Sequence, residues 1–360
     1  MKRFEYSFLV ACTVLLAAFC SCGAGEEPTP LTLNAPYQQG MVVGKNLPVC
    51  ITGTGNGRIR VSLAGHKVTA CVDGDAWCAT LPALPAGGPY TLTVRRGKET
   101  LSIVDVWVGT VILASGQSNM QFRLHESSTP LDECPADTLL RSFSLPRLEE
   151  GEPFSPQDGW LRCQPDNVGD WSAIGYLVGR EIRRRTGEAV GIINCYQGAS
   201  VIEAWVPAEV MEKPEYQLPA DELHWDHHNT YFMTWNAPGR LYDLDIRLLA
   251  PYPVSHVMWY QGESNTGRGE AKVYPGLAVE LVQSWREAFR NPSLSFTMVQ
   301  IADYDPRDDE AWHSLQRCQL TIPTLIEGVS VVQSADVCES DNIHPRTKDI
   351  LSVRIAETIK

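Results

Sequence analysis

The texture of the chain changes near residue 105, and that change constrains the fold more than any other feature. Between residues 31 and 105, apolar and polar residues alternate over short runs such as Val61-Ser62-Leu63, Lys67 to Cys71 and Tyr90 to Val94. The runs are punctuated by Gly53-Thr54-Gly55-Asn56-Gly57, Asp73-Gly74 and Pro85-Ala86-Gly87-Gly88-Pro89. Closely spaced strands with turn signals predict a small all-β, sandwich-like module. From 106 to 360 the pattern alternates. Strands are predicted at Val106–Ala114, Val190–Asn194, Val254–Tyr260, Phe296–Ile301 and Val329–Gln333, and helices at Asp170–Arg185, Ala271–Phe289, Ala311–Leu320 and Pro345–Ile359. Such alternation predicts an α/β layout, a parallel sheet flanked by helices. A chain of 360 residues is long for a single core, which agrees with two regions.

The first residues are of another kind. Lys2-Arg3 precede an apolar run from Phe8 to Phe19, too short for a spanning helix and of the form of a secretory signal. The run ends at Phe19-Cys20-Ser21-Cys22-Gly23, which looks like a bacterial lipoprotein signal. Residues 1–21 would be removed, Cys22 would be acylated, and residues 22–30 would form a linker. The expected location is therefore exported, periplasmic or outer-membrane associated, with membrane contact only through the lipid. Loss of Lys2, Arg3 and Glu5 takes the formal charge from -13 to -14, which argues against a nucleic-acid partner.

Eleven cysteines suit an exported protein better than a cytosolic one. Cys71 and Cys78 flank Asp73-Gly74 and are expected to face each other across a hairpin. Cys134 with Cys163 and Cys318 with Cys338 are further candidate pairs, although spacing alone does not fix connectivity. No Cys-x-x-Cys pair occurs, so no structural zinc is expected. His224 and His228 would share a helical face and suit a metal, but the hydroxyl chemistry argued next requires none. Their segment, Leu223 to Asn229, is read as a polar, aromatic loop facing substrate.

Four motifs carry chemistry: Gly116-Gln117-Ser118-Asn119-Met120, Gly198-Ala199-Ser200 with Glu203-Ala204-Trp205, Trp259 to Asn265, and Asp341-Asn342-Ile343-His344-Pro345. Each falls just after a predicted strand or in the final strand-to-helix loop, where parallel sheets gather their ligand crevice. Ser118 stands where a buried strand gives way to a predicted helix, with Gly116 allowing a sharp turn. Ser200 and Ser264 compete as Gly-x-Ser serines. A serine hydroxyl needs a base, and His344 has the right intrinsic pKa for one. Asp341, three residues earlier, is placed to orient the imidazole, with Glu339 and Glu263 as substitutes.

In order and wording these motifs resemble the sialate O-acetylesterase family within the SGNH hydrolase superfamily, over nearly everything after the export signal. The resemblance selects Ser118 as nucleophile, with Asp341 and His344 completing the triad. It implies an oxyanion hole from the backbone N–H groups of Ser118 and Gly198 and the side-chain amide of Gln261. It implies no cofactor and no metal. Where the family commonly has Gly-Gly-Thr or Gly-Gly-Ser, this chain has Ala199, which argues against a positive backbone angle there. Asn119, Glu263 and Asn265 are expected to brace the site. A sialic acid carboxylate calls for an arginine, and Arg268 is preferred over Arg123 and Arg240.

The expected activity is removal of acetyl esters from an O-acetylated glycan, sialic acid first, through an acetyl-serine intermediate. Acetylated xylan is the alternative substrate, and an inactive glycan-binding lipoprotein is the alternative of another class.

Overall fold

The computed structural model describes residues 29–148, the backbone of 153–154, and 159–359. The signal, Cys22 and most of the expected linker lie outside the described residues.

The first strands are β1 (Val42–Gly44), β2 (Val49–Thr54), β3 (Ile59–Leu63), β4 (His66–Thr69), β5 (Cys71–Asp73), β6 (Ala76–Leu81), β7 (Gly87–Arg96) and β8 (Glu99–Gly116). They are followed by the one-turn helix α1 (Ser118–Gln121), β9 (Asp137–Ser144), a short pair β10 (Arg147–Leu148) and β11 (Pro153–Phe154), and β12 (Leu161–Cys163). Then come α2 (Ala173–Thr186), β13 (Val190–Tyr196), α3 (Met233–Asn236), α4 (Arg247–Leu249), β14 (His256–Tyr260), α5 (Glu270–Ala288), β15 (Ser295–Val299), α6 (Glu310–Gln319), β16 (Val329–Val332) and α7 (Asp349–Thr358).

The main sheet runs β12-β9-β13-β8-β14-β15-β16. Its six inner and right-hand strands are parallel, and β12 is antiparallel to β9 at one edge. Helices flank this sheet, as the alternating pattern predicts. Residues along β8 divide between its faces by the period of two. Val111 and Leu113 join one apolar cluster, while Ile112 and Ala114 join another with Ile174, Ile192, Met258 and Leu351.

The strand-only region is less separate than its texture suggests. The expected boundary at 105/106 falls inside β8, which continues unbroken for 18 residues. Its first half pairs with β7, antiparallel; its second half lies at the centre of the parallel sheet. Asp105 marks the change of partners with φ +60, a left-handed angle that aspartate tolerates better than most residues. There it accepts from Arg141, whose Nη1 lies 2.7 Å away, and from Arg162 at 2.8 Å. Burial opposes the charge, but the two guanidinium groups and Trp107 hold the Asp105 carboxyl well below its ordinary range. Ile51, Leu63 and Val94 of the first region share one apolar cluster with Val257 and Trp285 of the second.

Helix limits differ from expectation for local reasons. Asp170 ends a short 3₁₀ turn, and the N-cap of α2 is Ser172, whose oxygen accepts from the Gly175 N–H at 3.1 Å. The same hydroxyl donates to Met120 O at 2.6 Å, tying the start of α2 to α1. The last helix starts at Asp349, four residues after Pro345. All eight described cysteines are free thiols. Cys71 and Cys78 do stand opposite each other in register across β5 and β6, but no sulfur is bonded to another.

Candidate active site

The parallel register brings three of the motifs to one end of the sheet. Gly116, the last residue of β8, lies beside Tyr196 of β13 and Tyr260 of β14. Backbone bonds carry the convergence one residue further: Gln117 N–H donates to Tyr260 O at 2.9 Å, and Gln197 N–H to Gly116 O at 3.0 Å. Gln117 then reaches across, its Oε1 accepting from the N–H groups of Gly262 (3.2 Å) and Ser264 (3.3 Å). Gly116 is required at this crossing. Its φ is +130, and an added Cβ would lie 2.1 Å from Tyr260 O.

Exposure separates the three candidate serines. Ser200 has no exposed surface, and Ser264 has 2%. The Ser200 oxygen is occupied, donating to Gly116 O and accepting from Trp205 Nε1 at 3.0 Å. Ser118 is half-buried at the first position of α1, and among the described residues its hydroxyl makes no hydrogen bond. Because α1 is a single turn, a helix dipole contributes little at Ser118. What remains there is the local set of first-turn N–H groups.

The fourth motif arrives through Asn119. Its Nδ2 donates to Ile343 O at 2.9 Å and to Glu263 Oε1 at 2.6 Å, while its Oδ1 accepts from Lys348 Nζ at 2.9 Å. The residue after Ser118 thus holds the residue before His344. Phe122, at the end of α1, stacks on the His344 ring with centroids 6.1 Å apart. Burial pulls the imidazole below its usual pKa, the Lys348 charge adds to this, and Glu126 opposes it. His344 is thereby kept neutral at ordinary pH, the form that accepts a proton.

The expected carboxylate contact is not made. Asp341 is exposed, and among the described residues no hydrogen bond joins it to the His344 ring; the backbone N–H of His344 donates to Asn342 Oδ1 at 2.9 Å. Neither substitute reaches the ring. Glu339 accepts from the N–H groups of Arg346 and Thr347, and Glu263 is taken by Asn119. Burial raises the Glu263 carboxyl.

The amide expected in the oxyanion hole is also spoken for. Gln261 is fully buried, and its Nε2 donates to Ser200 O (3.0 Å) and Asn265 Oδ1 (2.7 Å), using both hydrogens. Its Oε1 accepts from the Tyr274 hydroxyl at 2.8 Å. Gln261 therefore braces the second and third motifs and does not point a donor into the site. Gly198 N–H is directed at Gln121 Oε1, 3.1 Å away, so an amide oxygen stands where a substrate oxygen would accept. Ala199 does adopt a positive angle, φ +53, despite its methyl group. Its carbonyl accepts from Asn236 Nδ2 at 2.9 Å, which helps to hold that conformation.

Behind these residues Trp205, Trp259 and Trp285 pack edge to face or tilted, with centroids 5.7 to 6.3 Å apart. The histidine segment is a 3₁₀ turn, Trp225–His227, so His224 and His228 do not share a helical face. His227 instead meets Glu270 at 2.6 Å, and ligand atoms of Glu203, His227 and Glu270 lie within 4.8 Å of one another. Asn265 Nδ2 donates to both carboxylates, at 2.9 and 3.1 Å. The two acids and the histidine are thus tied to one another through Asn265 and the His227–Glu270 contact. Arg123 lies 3.9 Å from Asp170, and Arg240 is exposed. Arg268 is exposed and lines a cleft of about 500 Å³ with His224, Trp225 and Arg307. The Asp305 N–H donates to Ser340 O at 2.8 Å, so the loop carrying Arg307 touches the loop carrying Asp341.

Four contributors, Gln117, Gln121, Glu126 and Lys348, had no role assigned from sequence. The first two lie inside or beside the nucleophile motif, where amides bordering a motif were the available signal. Lys348 offered none, because lysine is ordinarily a surface residue.

Comparisons with known proteins bear on the family of the chain. A family model described as carbohydrate esterase, sialic acid-specific acetylesterase, matches residues 108–357. Human sialate O-acetylesterase is 25% identical over 328 residues, which cover 80% of this chain and 61% of that protein. The mouse protein is 24% identical over 345 residues, covering 80% and 64%. The chain thus spans a little over three-fifths of the length of these curated relatives. The crystal structure of a carbohydrate acetylesterase from Xanthomonas citri superposes with a TM-score of 0.79 at 30% identity, covering 91% of this chain and 74% of that one. With the motif loops converging on Ser118 and a matching family model across most of the α/β region, the chain belongs to the sialic acid-specific acetylesterase family of carbohydrate esterases.

Proposed function

We propose that this chain is a serine esterase that removes O-acetyl groups from carbohydrate, with O-acetylated sialic acid as its substrate class. The observation that carries the reading is the Asn119 tether, which binds the Ser118 turn to the His344 loop. In the proposed reaction, neutral His344 takes the Ser118 proton as the hydroxyl attacks the acetyl carbon. The tetrahedral oxyanion accepts from the N–H groups of Ser118 and Gly198, displacing Gln121 Oε1 from the latter. His344 returns the proton to the departing sugar hydroxyl, then activates the water that releases acetate. Arg268, beside Trp225 in an open cleft, is proposed to meet the sugar carboxylate. The α/β region is proposed to be an SGNH-type catalytic domain, with residues 31–105 as its all-β companion. Export as a lipoprotein through Cys22 is likewise proposed, and the mass of the mature N-terminus checks it.

Acetate release from a panel tests the substrate. Acetylated sialic acids are expected to be turned over at least tenfold faster than acetylated xylan fragments, and the reverse order would move the assignment to plant polysaccharide. Glycan binding with no acetate release from either would make the protein an inactive binder.

Asp341 is proposed as the carboxylate that closes onto His344 in the substrate complex. It is the acid of that loop not already committed elsewhere, and catalytic contacts often tighten only with substrate bound. Asp341→Asn is expected to lower kcat by about 10³-fold with KM little changed. Glu126→Gln is expected to cost less than about tenfold, because Glu126 acts on His344 only through its charge. The opposite ranking in steady-state kinetics would transfer the orienting role to Glu126.

A further inference from the structure

Lysine is seldom fully enclosed, yet Lys348 has no exposed surface. Its ammonium contacts Asn119 Oδ1 at 2.9 Å and lies over the rings of Phe122 (5.4 Å) and Tyr260 (5.3 Å). One neutral acceptor and two aromatic faces only partly replace the water an ammonium gives up. Such a placement is costly for structure alone.

Asn119 shows what the placement achieves. Lysine only donates, while a carbonyl or an ionised carboxylate only accepts, so the Asn119 amide fits these partners in a single orientation. Lys348 takes its oxygen, and its two hydrogens are left for Ile343 O and Glu263 Oε1. Phe122 repeats the geometry in apolar form, meeting Lys348 and stacking on His344. We propose that Lys348 is a positioning residue for the esterase reaction: acting through Asn119 and Phe122, it fixes the His344 loop against the Ser118 turn and sets a positive charge behind the imidazole. The role in turnover rests on the esterase reading above; the link between Lys348 and His344 does not.

The charged groups around the pair settle the sign of the pH dependence. His344 faces Lys348 and Glu126, with Asp341 on its own loop; Lys348 faces Glu263, Glu339 and the Cys338 thiol. Burial brings Lys348 down to about 8 against the opposing effect of Cys338, Glu263 and Glu339. Below that pH the ammonium disfavours a charged imidazole. Removing it therefore moves the protonation of His344, and with it the acid limb of kcat/KM, to higher pH.

The test is the pH profile of p-nitrophenyl acetate hydrolysis by the full chain and by Lys348→Met. The variant is expected to lose about 30- to 100-fold in kcat, with KM changed less than about threefold, as for a small misplacement of reacting groups. Its acid limb should move to higher pH. A uniform loss of rate with the acid limb in place would reduce Lys348 to a packing role and overturn the proposal. If Lys348→Met does not fold, the unmodified protein decides by NMR titration of the His344 ring. A main inflection below about 6.5 and a second near pH 8 support the link, and a single inflection overturns it. Because that titration needs no turnover, it is separable from the esterase reading, which fails on its own if hydrolysis does not depend on Ser118.

Discussion

Ser118→Ala is expected to reduce acetyl ester hydrolysis by about 10⁴- to 10⁶-fold while leaving the melting temperature unchanged within about 1–2 °C. Both halves of this expectation come from one fact. Among the described residues the Ser118 hydroxyl makes no hydrogen bond, so its removal leaves no stranded partner, and such substitutions alter stability by less than about 0.5 kcal/mol. The rate loss is large because no neighbouring serine can take over. Ser200 and Ser264 are buried, and the Ser200 oxygen is held by Gly116 and Trp205. Initial rates with p-nitrophenyl acetate and a circular dichroism melt check the two halves separately. A variant retaining a tenth of the activity would place the nucleophile elsewhere.

Gly116→Ala is expected to cost stability on the order of 4 kcal/mol. Two costs add. The φ of +130 is open in practice only to glycine, and the new methyl carbon would lie 2.1 Å from Tyr260 O and 2.6 Å from its carbonyl carbon. Backbone atoms on a paired strand cannot swing aside as a flexible side chain can. Relief requires parting β8 from β14 at the last registered pair, Gly116 with Tyr260, and that displaces Gln117 and Ser118 with it. Gly65→Ala is the matching control. It also has a positive φ, +83, but open space around the added carbon, so about 1 kcal/mol is expected. Urea unfolding of the two variants beside the parent measures both. Equal losses would mean that the backbone angle, and not the crowding at Tyr260, governs the site.

The parallel sheet and its flanking helices were legible because buried strands read as largely apolar runs, as in Val106–Ala114 and Val254–Tyr260, separated by helical periodicity. Strand β9 was not, since Asp137 and Arg141 interrupt its apolar pattern. Arg141 is nonetheless buried there because Asp105 lies across from it. The start of α2 was misread for a related reason. Asp170 and Ser172 are both good caps by type, and only the contact of Ser172 with Met120 decides between them. At the site, residue types with one dominant use were readable: a serine after a tight glycine, a histidine before a proline. Amides were not. Gln117, Gln121, Gln261 and Asn119 each donate and accept, so their partners depend on geometry that spacing does not carry. Gln261 was expected to aim at substrate, yet it ties Ser200 to Asn265.

The continuity of β8 has a consequence for how such a protein can be divided. One ribbon of 18 residues begins as the neighbour of β7 and ends two residues before Ser118. No cut ahead of the parallel half leaves a clean end: severing at residue 105 would strip a central strand of its lead-in and free Arg141 from Asp105. Separating the two regions therefore breaks the central ribbon, and excising the second onto another scaffold has to begin upstream of Val42, where β1 lies alongside the same ribbon.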